Sequence, residues 1–137
     1  MGQITPETLA ASGTEHGHQA ALFCWAASEP GTQLKFMFAI PNGGERAPVT
    51  ASRLKAEGVK SGVLDIFLPY PIRPHHGLFI EMKIKPKKPT DNQIKFARQM
   101  RMQGYKTALC YTWEEGREAI RRYLRGLILS ELDFPGE

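Results

Sequence analysis

Two acidic residues stand inside stretches that otherwise read as core. Asp65 lies between Leu64 and Ile66, and Glu81 lies between Ile80 and Met82 with Lys83 two positions on. Burying a carboxylate is costly unless a cation or hydrogen bonds compensate, and a metal ion is the most economical compensation. Successive strand residues alternate between faces, so Glu81 and Lys83 project together while Met82 points away. If the two stretches pair as strands, Asp65 reaches the same face. Two carboxylates and an ammonium then converge, which suits a hard divalent cation with oxygen ligands and leaves the lysine to orient or activate a water. A lone Glu-x-Lys is ordinarily an ion pair on exposed strands. Here the apolar flanks and the second acid argue for the metal.

The elements that must hold these residues can be read from periodicity and punctuation. Gly62–Leu68 and Leu78–Ile84 read as buried strands, separated by a loop rich in proline and histidine from Pro69 to His76. Upstream, Ser12-Gly13-Thr14-Glu15 has the spacing of a capping box and opens a helix of about four turns that ends at Pro30 and Gly31. A strand over Lys35–Ile40, a turn at Pro41-Asn42-Gly43-Gly44 and a short helix over Thr50–Glu57 follow. Downstream, Thr90-Asp91-Asn92-Gln93 is a second capping-box spacing; it opens a basic helix to about Gln103. Lys106–Tyr111 is the last strand and Trp113 to about Leu129 the last helix, acidic early and basic late as the helix dipole prefers. The expected class is α/β, one small mixed sheet flanked by helices. The 137 residues make a single domain, with its core over about 12–129.

Charge is distributed unevenly. The formal net charge is only +4, yet between Lys83 and Lys106 eight basic residues stand against Asp91 alone. That stretch carries +7 and the remainder of the chain is acidic by 3. A molecule so polarised presents one positive face, for which a polyanion is the natural partner. Lys85, Lys87 and Lys88 leave the strand of Glu81 directly, and Lys95, Arg98 and Arg101 continue down one side of the next helix at spacings of three.

Other chemistry is poorly supported. Cys24 and Cys110 sit in apolar surroundings and read as small buried hydrophobes of a reducing compartment. His16 and His18 fall on different faces of a helix, a poor ligand pair for zinc, and the four histidines read as surface residues, with His75 and His76 as a potential contact to such a polyanion. The opening residues carry neither the basic nor the apolar region of a secretory leader, and Pro6 stands where a myristoylation pattern needs Ser or Thr. No apolar run approaches the ~20 residues of a membrane span. We therefore expect a soluble, cytoplasmic protein with no membrane partner and no small-molecule cofactor.

Asp65 followed by Glu81-x-Lys83 resembles the PD-(D/E)xK nuclease signature. Gly62-Val63-Leu64-Asp65, Phe79-Ile80-Glu81-Met82-Lys83, Gln93 and Gly104-Tyr105-Lys106 together are similar to the virus-type replication-repair nuclease (VRR-NUC) domain over about residues 12–125. The resemblance implies a restriction-endonuclease-like core and a metal-dependent phosphodiesterase acting on DNA. It implies that Asp65 and Glu81 hold Mg2+ or Mn2+, with the Met82 carbonyl as a further ligand. Lys83 would orient the attacking water, Glu15 match an acid placed near the metal, and Gln93 complete the site. From spacing alone, Glu15 and Gln93 each fall at N3 of a capping box, where local hydrogen bonding explains them equally well. Gln19, one turn after Glu15, would support it from behind or simply face solvent. Leu64 stands where the family has proline, a position that shapes backbone and binds nothing.

The expected activity is structure-selective endonucleolytic cleavage by direct attack of water, in the manner of a Holliday-junction resolvase. Such a substrate has two symmetric cuts, which suggests a homodimer. The loop Pro69–His76, the apolar first helix and Leu127-Ile128-Leu129 are candidate contacts. A flap, nicking or restriction-type nuclease on the same core is the alternative among enzymes. A non-catalytic nucleic-acid-binding module is the alternative outside them.

Overall fold

A computed structural model describes residues 2–41 and 48–136, with Pro48 and Val49 described by backbone only. The helices are α1 (Pro6–Ala10), α2 (Glu15–Ser28), α3 (Pro48–Ala56), α4 (Asp91–Met102) and α5 (Trp113–Leu124). The strands are β1 (Phe38–Ala39), β2 (Ile66–Leu68), β3 (Leu78–Met82) and β4 (Lys106–Cys110), followed after α5 by a 3-10 turn at Ser130–Leu132. They form one sheet in the order β1-β2-β3-β4. The first two pairings are antiparallel and β3 runs parallel to β4, with α4 as the crossover. This is the mixed α/β architecture expected. Of the turn expected at Pro41–Gly44, residues 42–44 lie outside the described residues.

The sheet divides the interior in two because neighbouring side chains leave opposite faces. One face carries Ile66, Leu68, Ile80, Met82, Ala108 and Cys110 against Leu22, Trp25, Ile120 and Tyr123 of α2 and α5. Those helices approach closely at Gly116, where an added Cβ would lie 2.9 Å from the Leu22 side chain. The other face carries Phe79 and Leu109 under Ala97 of α4, with Leu64 and Phe134 completing a smaller cluster. Glu81 belongs to this second face, opposite the larger core.

Several boundaries differ from expectation, each for a local reason. α1 was not anticipated: Thr5 caps it reciprocally with Thr8, a Thr–Thr box in place of the usual Glu or Gln at N3. The N-cap of α2 is Thr14 rather than Ser12, its hydroxyl accepting from the Gly17 N–H at 2.9 Å. β1 loses Lys35–Met37 because Lys35 and Met37 N–H groups close turns on Thr32 and Leu34. β2 begins after Asp65, which sits in a bend. α5 stops at Leu124 because Gly126 adopts φ +70°, a left-handed cap. Leu129 is then buried in the main core, and the chain returns along β4, the Phe134 N–H donating to the Thr107 carbonyl at 3.1 Å.

Candidate metal and catalytic site

The antiparallel pairing of β2 with β3 brings the two sequence-flagged acids together. With Ile66 opposite Ile80 in the register, Asp65 lies beside the Glu81 end of β3. Its carbonyl accepts from the Ile40 N–H at 2.7 Å and its Oδ2 from the Met82 N–H at 3.0 Å, so strand edges on both sides fix it. Glu81 is only 2% exposed. Gln93 Nε2 donates to Glu81 Oε2 at 2.9 Å, and the Lys83 ammonium lies 3.3 Å from the same oxygen. Glu81 Oε1 is buried and has no hydrogen-bond partner among the described residues.

The electrostatics match that geometry. Burial, then the neighbouring charge of Asp65, push the Glu81 carboxyl up to about 8, well above the usual carboxylate range. Asp65 is also raised, chiefly by burial and further by the charge of Glu15, against the lowering effect of the Met82 N–H. The one nearby ammonium therefore does not neutralise both acids. Two desolvated carboxylates and an orphaned oxygen call for a proton or a cation between them. Their chemistry fits a divalent, oxygen-liganded ion. Among the described residues no group of three or more His, Cys, Asp or Glu converges as a ready-made metal cluster, so a cation held here would draw on Asp65 and Glu81 with backbone or water oxygens.

Glu15 flanks this pair. It is the first residue of α2, not the N3 partner of a capping box, so local capping does not account for it. Its carboxylate lies 3.7 Å from the Lys87 ammonium. Gln93, by contrast, is both things at once: at N3 of α4 its side-chain Oε1 accepts from the Thr90 N–H at 2.9 Å while its amide nitrogen reaches Glu81. The two readings of Gln93 describe opposite ends of one amide. Gln19 is half-buried on α2, and its side chain makes no hydrogen bond among the described residues.

The basic stretch does not form one continuous surface. Lys85, Lys87 and Lys88 are exposed on the segment leaving the site, with Lys85 Nζ 5.5 Å from the centre of the Tyr111 ring. The Tyr111 hydroxyl donates to the Lys87 carbonyl at 3.1 Å and braces that segment, a role that its position at a strand end did not signal. Lys95 and Arg98 lie about 200° and 140° around α4 from Gln93. Both are exposed on the outer side of the helix, away from Glu81. Arg101 turns inward, donating to Thr107 Oγ1 at 2.9 Å and the Phe134 carbonyl at 3.1 Å. Of the three, Arg101 is thus engaged within the fold and departs from the expected exposed row of phosphate contacts, while Lys95 and Arg98 keep their exposed positions on α4.

Further expectations are adjusted. His18 is not a surface residue; its Nδ1 accepts from the Trp113 N–H at 3.0 Å and ties α2 to the start of α5. His75 and His76 precede β3, five or more residues before Glu81 and so roughly 16 Å from it along an extended chain. Burial holds the His75 imidazole below its ordinary value. Of the proposed dimer contacts, Leu129 is core and the apolar face of α2 is covered by the sheet and α5, whereas Leu127 and Ile128 are exposed. Cys110 is buried as expected, and burial pushes its thiol up; Cys24 is half-buried.

No protein-family model matches the chain, and no curated protein matches it. Among solved structures it is similar to a "VRR_NUC domain protein", with a TM-score of 0.69 at 18% identity, covering 99% of this chain and 97% of that one. At that identity the likeness concerns the fold. It agrees with the VRR-NUC fold that the motifs imply. No helix among the described residues is long and apolar enough to cross a membrane.

Proposed function

We propose, from the VRR-NUC fold and the arrangement of Asp65, Glu81 and Lys83, that the protein is a divalent-metal-dependent endodeoxyribonuclease that selects branched DNA. One observation carries the reading above the others: Glu81 is buried, its Oε2 takes two donors, and its Oε1 has none. That leaves Oε1 open to a cation, or to a proton shared with Asp65 when no cation is bound.

In this reading Asp65 and Glu81 hold Mg2+ or Mn2+ together with the Met82 carbonyl, and Glu15 approaches from α2. A cation there would neutralise charge on a phosphate oxygen and make a coordinated water more acidic. Lys83, 12% exposed and 3.3 Å from Glu81 Oε2, is held where its ammonium can orient a water and offset charge that develops on the phosphate. Gln93 fixes the Glu81 carboxylate. Lys85, Lys87 and Lys88 supply phosphate contacts that position the substrate without reading its sequence. Lys87 exchanges its partner Glu15 for phosphate when DNA arrives.

Two cuts on a four-way junction require two sites, so we propose a homodimer acting as a Holliday-junction resolvase. Flap or nick processing on the same core requires only a monomer. The test incubates purified protein with junction, flap, splayed-arm and plain duplex DNA, with Mg2+, with Mn2+ and with EDTA, alongside light scattering of the protein. Metal-dependent cutting that favours the junction, by a dimer, is expected. No metal-dependent cutting of any substrate would refute the nuclease reading. A monomer that cuts flaps would replace the resolvase with flap processing.

A further inference from the structure

The first turn of α4 carries an arrangement that neither the fold nor the metal ligands explain. A glutamine amide has an acceptor end and a donor end, and its orientation is set by its partners. Gln93 Oε1 accepts from the Thr90 backbone N–H at 2.9 Å, and the Thr90 hydroxyl in return accepts from the Gln93 N–H at 3.2 Å. With its oxygen so engaged, the amide must turn its NH2 toward Glu81, where it meets Oε2 at 2.9 Å. Lys83 approaches that same oxygen, and Oε1 is left without a donor. A reversed amide would set oxygen against carboxylate.

The same turn also touches the segment that leads to Asp65. Asn92 Nδ2 donates to Ser61 Oγ at 3.0 Å, and Gly62, at φ +89°, lies so close that an added Cβ would sit 2.7 Å from the Asn92 carbonyl. One helical turn thus contacts the support of Glu81 and the approach to Asp65. α4 is a crossover between β3 and β4, and nothing in that connection demands that its N-terminal turn grip both.

We infer that Thr90 is a positioning residue for the metal site. Its hydroxyl holds the Gln93 backbone N–H in the first turn, which places the Gln93 side-chain oxygen on the Thr90 N–H, and this closed cap dictates which Glu81 oxygen is saturated by donors and which is offered to a cation. Thr90 touches neither metal nor substrate and acts only through Gln93. The inference rests on the proposed metal-binding role of Glu81.

Calorimetric titration of the full chain with Mn2+ in the absence of DNA tests it. Thr90→Ala keeps the backbone N–H but loses the hydroxyl that holds Gln93 in place, and is expected to weaken Mn2+ affinity about five-fold, a change that corresponds to ~1 kcal/mol. Thr90→Ser restores wild-type affinity. Thr5→Ala opens the comparable cap of α1, and it should lower the thermal midpoint while leaving Mn2+ affinity unchanged. Gln93→Met, which removes the amide through which Thr90 acts, should also weaken Mn2+ binding and serves if Thr90→Ala does not fold. Mn2+ affinity within twofold of wild type in folded Thr90→Ala, or in Gln93→Met where Thr90→Ala does not fold, would overturn the inference while leaving the metal reading intact. Absence of Mn2+ binding by the wild-type chain would remove the metal reading, and the positioning role with it.

Discussion

Glu81→Gln should make the metal-free protein more stable at alkaline pH. Burial holds the carboxyl up at about 8 in the fold against 4.5 when freely solvated, so between those values the folded chain keeps a proton that the unfolded chain has released. A raised carboxyl contributes its stability fully below pH 4.5 and loses it as pH climbs through 8. At about 1.4 kcal/mol per unit, the full shift sets a ceiling of about 5 kcal/mol. Local relaxation and entry of water reduce this, and we expect about 2–3 kcal/mol between pH 5 and pH 9. For a domain of this size that corresponds to a thermal midpoint shift of roughly 6–12 °C. Glutamine is nearly isosteric: its oxygen can accept from Gln93 and Lys83 while its NH2 faces Asp65. The assay is thermal unfolding of wild type and Glu81→Gln in EDTA at half-unit steps of pH. The curves should converge near pH 4.5, separate progressively from about pH 5 to pH 8 and run parallel above that, with the variant higher. Curves parallel over the whole range, or a variant less stable at pH 9, would refute the claim that Glu81 is a desolvated, under-compensated acid.

Lys83→Met should reduce cutting by at least about 100-fold, as loss of a charge-stabilising group does, while DNA affinity measured in EDTA stays within about threefold. Loss of affinity in proportion to loss of cutting would instead make Lys83 a binding residue. Arg101→Met should cost about 2 kcal/mol in urea unfolding, because Thr107 Oγ1 and the Phe134 carbonyl lose their donor, with little change in DNA affinity. Paired substitution of Lys87 and Lys88 by Ala should lower the slope of log affinity against log salt by about 1–2, whereas the pair Lys95 and Arg98 should barely move it. Equal effects from the two pairs would place the DNA across the outer side of α4.

What was legible in the sequence was what depends on residue type and strict alternation. Asp65 and Glu81 are visible because a charge between aliphatic neighbours contradicts its surroundings, and the period of two then fixes the face that Glu81 shares with Lys83. Gln93 is visible because a capping box has a fixed spacing. Less could be read where a tertiary partner decides the outcome. Nothing local tells that Arg101 turns under the sheet to the Phe134 carbonyl while Arg98, three residues earlier, stays outside. Nothing local tells that Thr14 rather than Ser12 caps α2, because both hydroxyls suit the position and only the path from α1 selects between them. The two contacts of Gln93 are less legible for a different reason: the spacing signals the capping end of the amide and is silent about the end that reaches Glu81.

The central claim is that Asp65 and Glu81 hold a divalent cation. Anomalous diffraction from crystals of the wild-type protein and of Glu81→Gln, each soaked in Mn2+, tests it most directly. One strong peak is expected in the wild type within coordination distance of Glu81 Oε1 and the Asp65 carboxylate, absent from the variant. A wild-type map with no peak between those two side chains, or with Mn2+ only at other acids, would contradict it.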